Sequence, residues 1–83
     1  MRKENYLKIK HYIKSLCLDN VIELCEKTGL TEQETELVKY INKGDTRVYI
    51  GMQMGMCETH VSKTAHKIFT KIRDYMKKHD INY

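Results

Sequence analysis

The chain has 83 residues, 41% hydrophobic and 31% charged, a balance that makes one small domain with its own core and excludes a disordered tail. Its net charge is +4, but no apolar run is long enough to cross a bilayer. "MRKENYLKIK" alternates charged with apolar residues where a signal peptide would need a continuous apolar stretch, so the expected location is the cytoplasm.

The charge is unevenly spread. Residues 1–18 hold five basic groups and one acid, residues 19–43 six acids and three lysines, and residues 44–83 seven basic groups and four acids. Such runs suit solvated helix faces, and a basic C-terminal surface also suits a polyanion. Proline is absent and Lys, Glu, Leu and Ile are abundant, so the expected fold is all-α. Cys17, Cys25 and Cys57 lack CxxC spacing and read as small buried hydrophobes, or for Cys57 as a partly exposed cap. Cys57 and His60 lie one helical turn apart, but two ligands without a second pair do not make a zinc site. No metal or other cofactor is expected.

The first segment, residues 1–29, places Tyr6, Ile9, Tyr12, Ile13, Leu16 and Cys17 three and four apart on one stripe, with Lys8, Lys10, His11 and Lys14 on other faces. Asp19 offers a cap or bend. A short helix carrying Val21, Ile22, Leu24 and Cys25 would then stop at Gly29. Residues 4–27 fit one bent helix or two.

Residues 30–83 make the second segment. "TEQE" at 31–34 is a capping box, in which the Thr31 hydroxyl takes the Glu34 N–H and the Glu34 carboxylate reaches back. Leu37, Val38, Tyr40 and Ile41 give the helix its apolar stripe, and Gly44 ends it. Asp45 or Thr46 caps the next helix, which runs through "RVYIGMQM" to Gly55. With Cys57 as a weak substitute for a serine cap, the last helix runs from Glu58 to about Lys78. Gly55 supplies the positive φ of a tight turn. Gly51, inside a helix, costs about 1 kcal/mol relative to alanine, and a close approach by a crossing helix would offset that cost. Met54 and Met56 read as core fillers beside the turn, and Met52 as nearer the surface.

A short helix, a glycine turn and a second helix make a helix-turn-helix within a small bundle of four to five helices. "LTEQETELVKYINKGDTRVYIGMQMGMCETHVSKTAHKIF" resembles the helix-turn-helix domains of LuxR-type regulators and of sigma-70 region 4. Those domains commonly open with Leu-Thr and a glutamate-rich helix, continue with an Ile-Ala pair and Leu-Gly, and anchor the recognition helix on a valine four residues past a Ser/Thr cap. Here Ile50-Gly51, Met54-Gly55, Cys57 and Val61 hold those places. Glycine for alanine at 51 and cysteine for the cap hydroxyl at 57 are departures, and Val48 and Tyr49 are more apolar than usual. The receptor domain of LuxR-type regulators has no counterpart, so neither ligand sensing nor phosphorylation is implied.

At about 100° per residue, Val61, Ala65, Ile68 and Ile72 form the buried arc of the last helix, flanked by Phe69, Tyr75 and Met76. The opposite arc holds Thr59, Lys63, His66 and Thr70, with His60, Ser62 and Lys67 beside it. Thr59, His60, Ser62 and Lys63 are the candidates to reach base edges, because they lie in the first two turns and carry major-groove donors and acceptors. Thr46, Arg47, His66, Lys67 and Lys71 are the candidates for phosphate contact, and Arg73, Lys77 and Lys78 extend the basic strip.

The expected function is sequence-specific reading of double-stranded DNA by a transcriptional regulator, which needs a dimer or larger complex to cover a full site. Two surfaces suit a homodimer: the stripe Tyr6, Ile9, Ile13 and Leu16, and the distal Tyr75, Ile81 and Tyr83. The alternative is a protein-binding adaptor or inhibitor of anti-sigma or anti-CRISPR type, docking on RNA polymerase or another nucleic-acid enzyme through Glu32, Glu34, Glu36, Val48 and Tyr49. No catalytic triad, paired carboxylates or phosphate-cradling glycine loop can be assembled, so neither an enzyme nor a small-molecule ligand is expected.

Overall fold

The protein was described with a computed structural model, which places residues 2–80. Five helices follow in chain order: α1 (Lys3–Ser15), α2 (Leu18–Thr28), α3 (Glu32–Lys43), α4 (Arg47–Met54) and α5 (Glu58–Lys78). Among the described residues there is no strand. The architecture is the small all-α bundle expected from the composition, and no helix is long and apolar enough to cross a membrane.

The question of one bent helix or two is settled by a residue distant in sequence. Asn42, near the end of α3, donates from Nδ2 to the carbonyls of Ile13 (2.8 Å) and Leu16 (2.9 Å). The Ile13 carbonyl already accepts from the Leu16 N–H at 3.2 Å, so the Asn42 amide adds a second donor there and a donor to Leu16, closing the C-terminus of α1 from α3. The chain then extends at Leu16 and Cys17 before α2 begins. Cys17 is therefore the N-cap residue of α2 and is exposed, not a buried member of the α1 stripe. Asp19 sits inside the first turn of α2, where its charge suits the helix dipole.

The α3 start follows the sequence signal. Thr31 Oγ1 accepts from the Glu34 N–H at 3.2 Å, and Glu34 Oε1 accepts from the Thr31 N–H at 3.0 Å. Glu34 is also buried, with Lys71 Nζ 3.2 Å from its Oε2. Burial alone would raise its pKa, but the Thr31 N–H and the Lys71 ammonium outweigh it and hold the carboxyl below its ordinary value. Gly29 and Gly44 end α2 and α3 in the left-handed conformation.

One continuous core draws on all five helices: Ile9 and Ile13 from α1, Val21, Leu24 and Cys25 from α2, Leu37, Val38 and Ile41 from α3, Ile50 from α4, and Val61, Ala65, Ile68, Phe69, Ile72 and Met76 from α5. Helix α5 supplies six of these residues, which is the buried arc read from its periodicity. Ile9 and Ile13 are fully covered by the protein's own helices, so the α1 stripe is core and is not a free surface for a second copy. Ile81 and Tyr83 lie outside the described residues.

Candidate nucleic-acid interface

The chain turns between α4 and α5 at Gly55, whose φ of 67° is left-handed. The Met56 N–H bonds back to the Gly51 carbonyl at 2.8 Å. That turn carries the Met56 carbonyl oxygen into the space a Cβ at Gly51 would occupy, and a Val61 methyl group would lie 3.5 Å from the same Cβ. The close approach that makes glycine necessary comes mainly from the turn backbone, with the crossing helix second. Met54 and Met56 are half-buried beside the turn and Met52 is 74% exposed.

Thr46 caps α4, its Oγ1 accepting from the Tyr49 N–H at 3.2 Å. Cys57 holds the matching position before α5, and its carbonyl accepts from the Val61 N–H at 3.0 Å, but its thiol accepts no hydrogen bond from that helix. The thiol is a weaker acceptor than a hydroxyl, so α5 starts with its first N–H groups uncapped by a side chain.

Beyond Cys57, the side chains of Thr59, His60, Lys63 and Lys67 are exposed, and among the described residues none of them has a side-chain hydrogen bond or ion pair. The other candidates are engaged to differing degrees. Ser62 is half-buried and accepts from Arg47 Nη1 at 3.2 Å. His66 is exposed on one side and stacked on the other against Tyr6 of α1, ring centroids 4.5 Å apart. Lys71, expected to meet phosphate, is tied to the Glu34 carboxylate. Arg73 pairs with Asp74 at 3.4 Å. Tyr6 also packs on Phe69, centroids 4.7 Å apart, so the N-terminal half of α1 borders one flank of α5. That position of α1 could not be read from residue spacing.

The first turns of α5 therefore present a ridge of hydroxyl, imidazole and ammonium groups, with Arg47 at the start of α4 beside it. Such groups donate to guanine acceptors, exchange hydrogen bonds with base edges and neutralise phosphates. A second surface lies on the outer side of α4: Val48 is 55% and Tyr49 44% exposed. Tyr49 meets Tyr40 of α3 edge-on, centroids 6.2 Å apart, and Lys43 Nζ lies 4.8 Å from the Tyr40 ring centre. No protein-family model, curated protein or solved structure matches the chain.

Proposed function

We propose that the protein is a binding module and not an enzyme, and that α4 and α5 act as a helix-turn-helix reading the major groove of double-stranded DNA in a transcriptional regulator. The observation that carries this reading is the unpartnered polar ridge of Thr59, His60, Lys63 and Lys67 on a helix whose other face is wholly core. An α-helix about 10–12 Å across fits a major groove about 12 Å wide. The ridge then faces base edges, while Arg47 and Lys67 lie toward the backbone. Thr59, His60 and Lys63 are the base-reading residues. Ser62 acts through Arg47, holding the guanidinium at the edge of the ridge. A regulator of this kind works in the cytoplasm and covers a full site as a homodimer or beside RNA polymerase.

Selection of bound fragments from a random duplex library tests the proposal. A consensus sequence is expected. Lys63→Ala should then lower the preference for that consensus by about 1–3 kcal/mol, whereas Lys67→Ala should weaken all duplexes alike and reduce the salt slope by about 1. Absence of enrichment, with no salt-dependent duplex binding, would remove the DNA reading.

A specific observation favours a second reading: the exposed apolar pair Val48 and Tyr49, continued by Met52, suits a protein partner. In that reading the chain is an adaptor or inhibitor docking on a nucleic-acid enzyme such as RNA polymerase. Glu34 is withdrawn from its contact surface, because the carboxylate is buried in the α3 cap. Loss of a polymerase complex on Tyr49→Ala, with duplex binding absent throughout, would select it.

A further inference from the structure

Lys3 and Lys10 stand seven residues apart on α1 and so share a face. Together with Tyr6, Leu7, Arg47 and His66 they line a groove of about 450 Å³ where α1 approaches α4 and α5. Lys3, Lys10 and Arg47 are three cations around one opening, no acid lines it, and none of the three joins an ion pair among the described residues. Of the carboxylates around it, Glu4 follows Lys3 on α1 and Asp45 lines an adjoining cavity of about 240 Å³ with Tyr6, Lys10 and Arg47. Asp45 is itself 3.7 Å from Lys43. Tyr6, which forms part of the lining, has its pKa pushed up by burial against the opposing pull of Arg47 and so adds no negative charge there. Three like charges at one opening repel each other, and an anion bound between them relieves that repulsion.

The groove borders the polar ridge of α5, because His66 forms one of its walls and Arg47 reaches from it to Ser62. A helix seated in the major groove has a phosphate backbone passing along each flank. We propose that this groove seats the phosphodiester backbone beside the bases that α5 reads, with Lys3 and Lys10 gripping it from α1. The inference rests on the DNA reading above and extends it: the N-terminal helix is part of the interface as well as of the core. It commits to the backbone of the same duplex, not to a free anion.

The test compares two variants with the same loss of charge. Lys3→Ala/Lys10→Ala removes the grip, and Lys8→Ala/Lys27→Ala removes two cations that do not line the groove. None of the four lysines belongs to the core, but Lys10 lines a cavity beside it and Lys27 pairs with Glu23, so thermal melts of each variant check that folding is intact. The expected result is a fall in the slope of log K against log salt of about 2 for the Lys3/Lys10 variant and far less for the control, with the preference for the selected sequence over random duplex unchanged. Equal slopes for the two variants while Lys63→Ala still lowers sequence preference would overturn this inference and leave the DNA reading standing. Unchanged duplex binding by the Lys3/Lys10 variant, with binding of inorganic phosphate lost, would reassign the groove to a free anion and overturn it as well. No duplex binding by the unmodified protein would remove both proposals.

Discussion

Helices α3 and α5 handle their polar groups in opposite ways. On α3, Glu34 and Asn42 face into the molecule: one closes the cap with Thr31 and meets Lys71, the other finishes α1. On the first three turns of α5, Thr59, His60, Lys63 and Lys67 have no such partner among the described residues. Both helices bury an apolar stripe, so the difference does not arise from amphipathicity. It separates a helix whose polar residues hold the bundle together from one whose polar residues are left for something else. The join between the two roles is α4 and its turn.

Breaking that join should have the largest effect on stability. In an ordinary helix Gly51→Ala would gain about 1 kcal/mol. Here the added Cβ meets the Met56 carbonyl, which belongs to the turn backbone and cannot rotate away as a side-chain tip would. Overpacking of this kind costs about 1–3 kcal/mol and more where backbone must move. The strain wins, and a net loss of about 2 kcal/mol is expected in urea unfolding. A gain in stability would mean that Met56 shifts freely and that the turn is less fixed than its geometry implies.

Asn42→Ala comes next and sharpens the contrast. It removes two hydrogen bonds, taking the Asn42 donor from the Leu16 carbonyl and leaving Ile13 with the Leu16 N–H, at a cost of about 1–2 kcal/mol. Stability should fall while duplex binding at a temperature where the variant is folded stays unchanged. Lys63→Ala should do the reverse. If both variants lost both properties, the division between scaffold and reader would not hold.

Glu34→Gln has a smaller effect with a pH signature. The folded carboxyl titrates below its ordinary value of 4.5, so the stability it contributes is present above that value and is lost as pH falls through the folded pKa. The amide keeps an acceptor for the Thr31 N–H but cannot pair with Lys71 as an anion. A loss of about 1 kcal/mol near neutral pH is expected, together with a shallower decline of stability below about pH 4.5 than in the unmodified protein.

What the sequence made legible follows the same division. Local chemistry could be read: "TEQE" closes as a capping box, three glycines end helices, and α5 runs over Glu58–Lys78 with its expected buried arc. Contacts between distant residues could not. Nothing near Asn42 signals a bond to α1, and the capping box sets Glu34 apart from the exposed Glu32 and Glu36 without showing that it is buried. Lys71 looked like one more cation on a basic strip until α3 packed against it. The same holds for the candidate site. Periodicity placed Thr59, His60, Lys63 and Lys67 on one exposed side, but the approach of Tyr6 to His66 depends on how α1 docks.

The smallest expected effect has the opposite sign and bears on the start of α5. Thr46 caps α4 and Thr31 caps α3, each with a hydroxyl, while Cys57 caps nothing. Its backbone already has the extended conformation of a cap residue, φ −75° and ψ 158°. Cys57→Ser changes one atom to a better acceptor in a place that needs no rearrangement. It should stabilise the protein by about 0.5–1 kcal/mol in thermal unfolding. The cost should appear in binding if the uncapped N–H groups of α5 take part in it, because a serine hydroxyl would occupy one of them. Greater stability with weaker duplex binding would place the start of α5 at the interface. Greater stability with binding unchanged would confine contact to the side chains of Thr59, His60, Lys63 and Lys67.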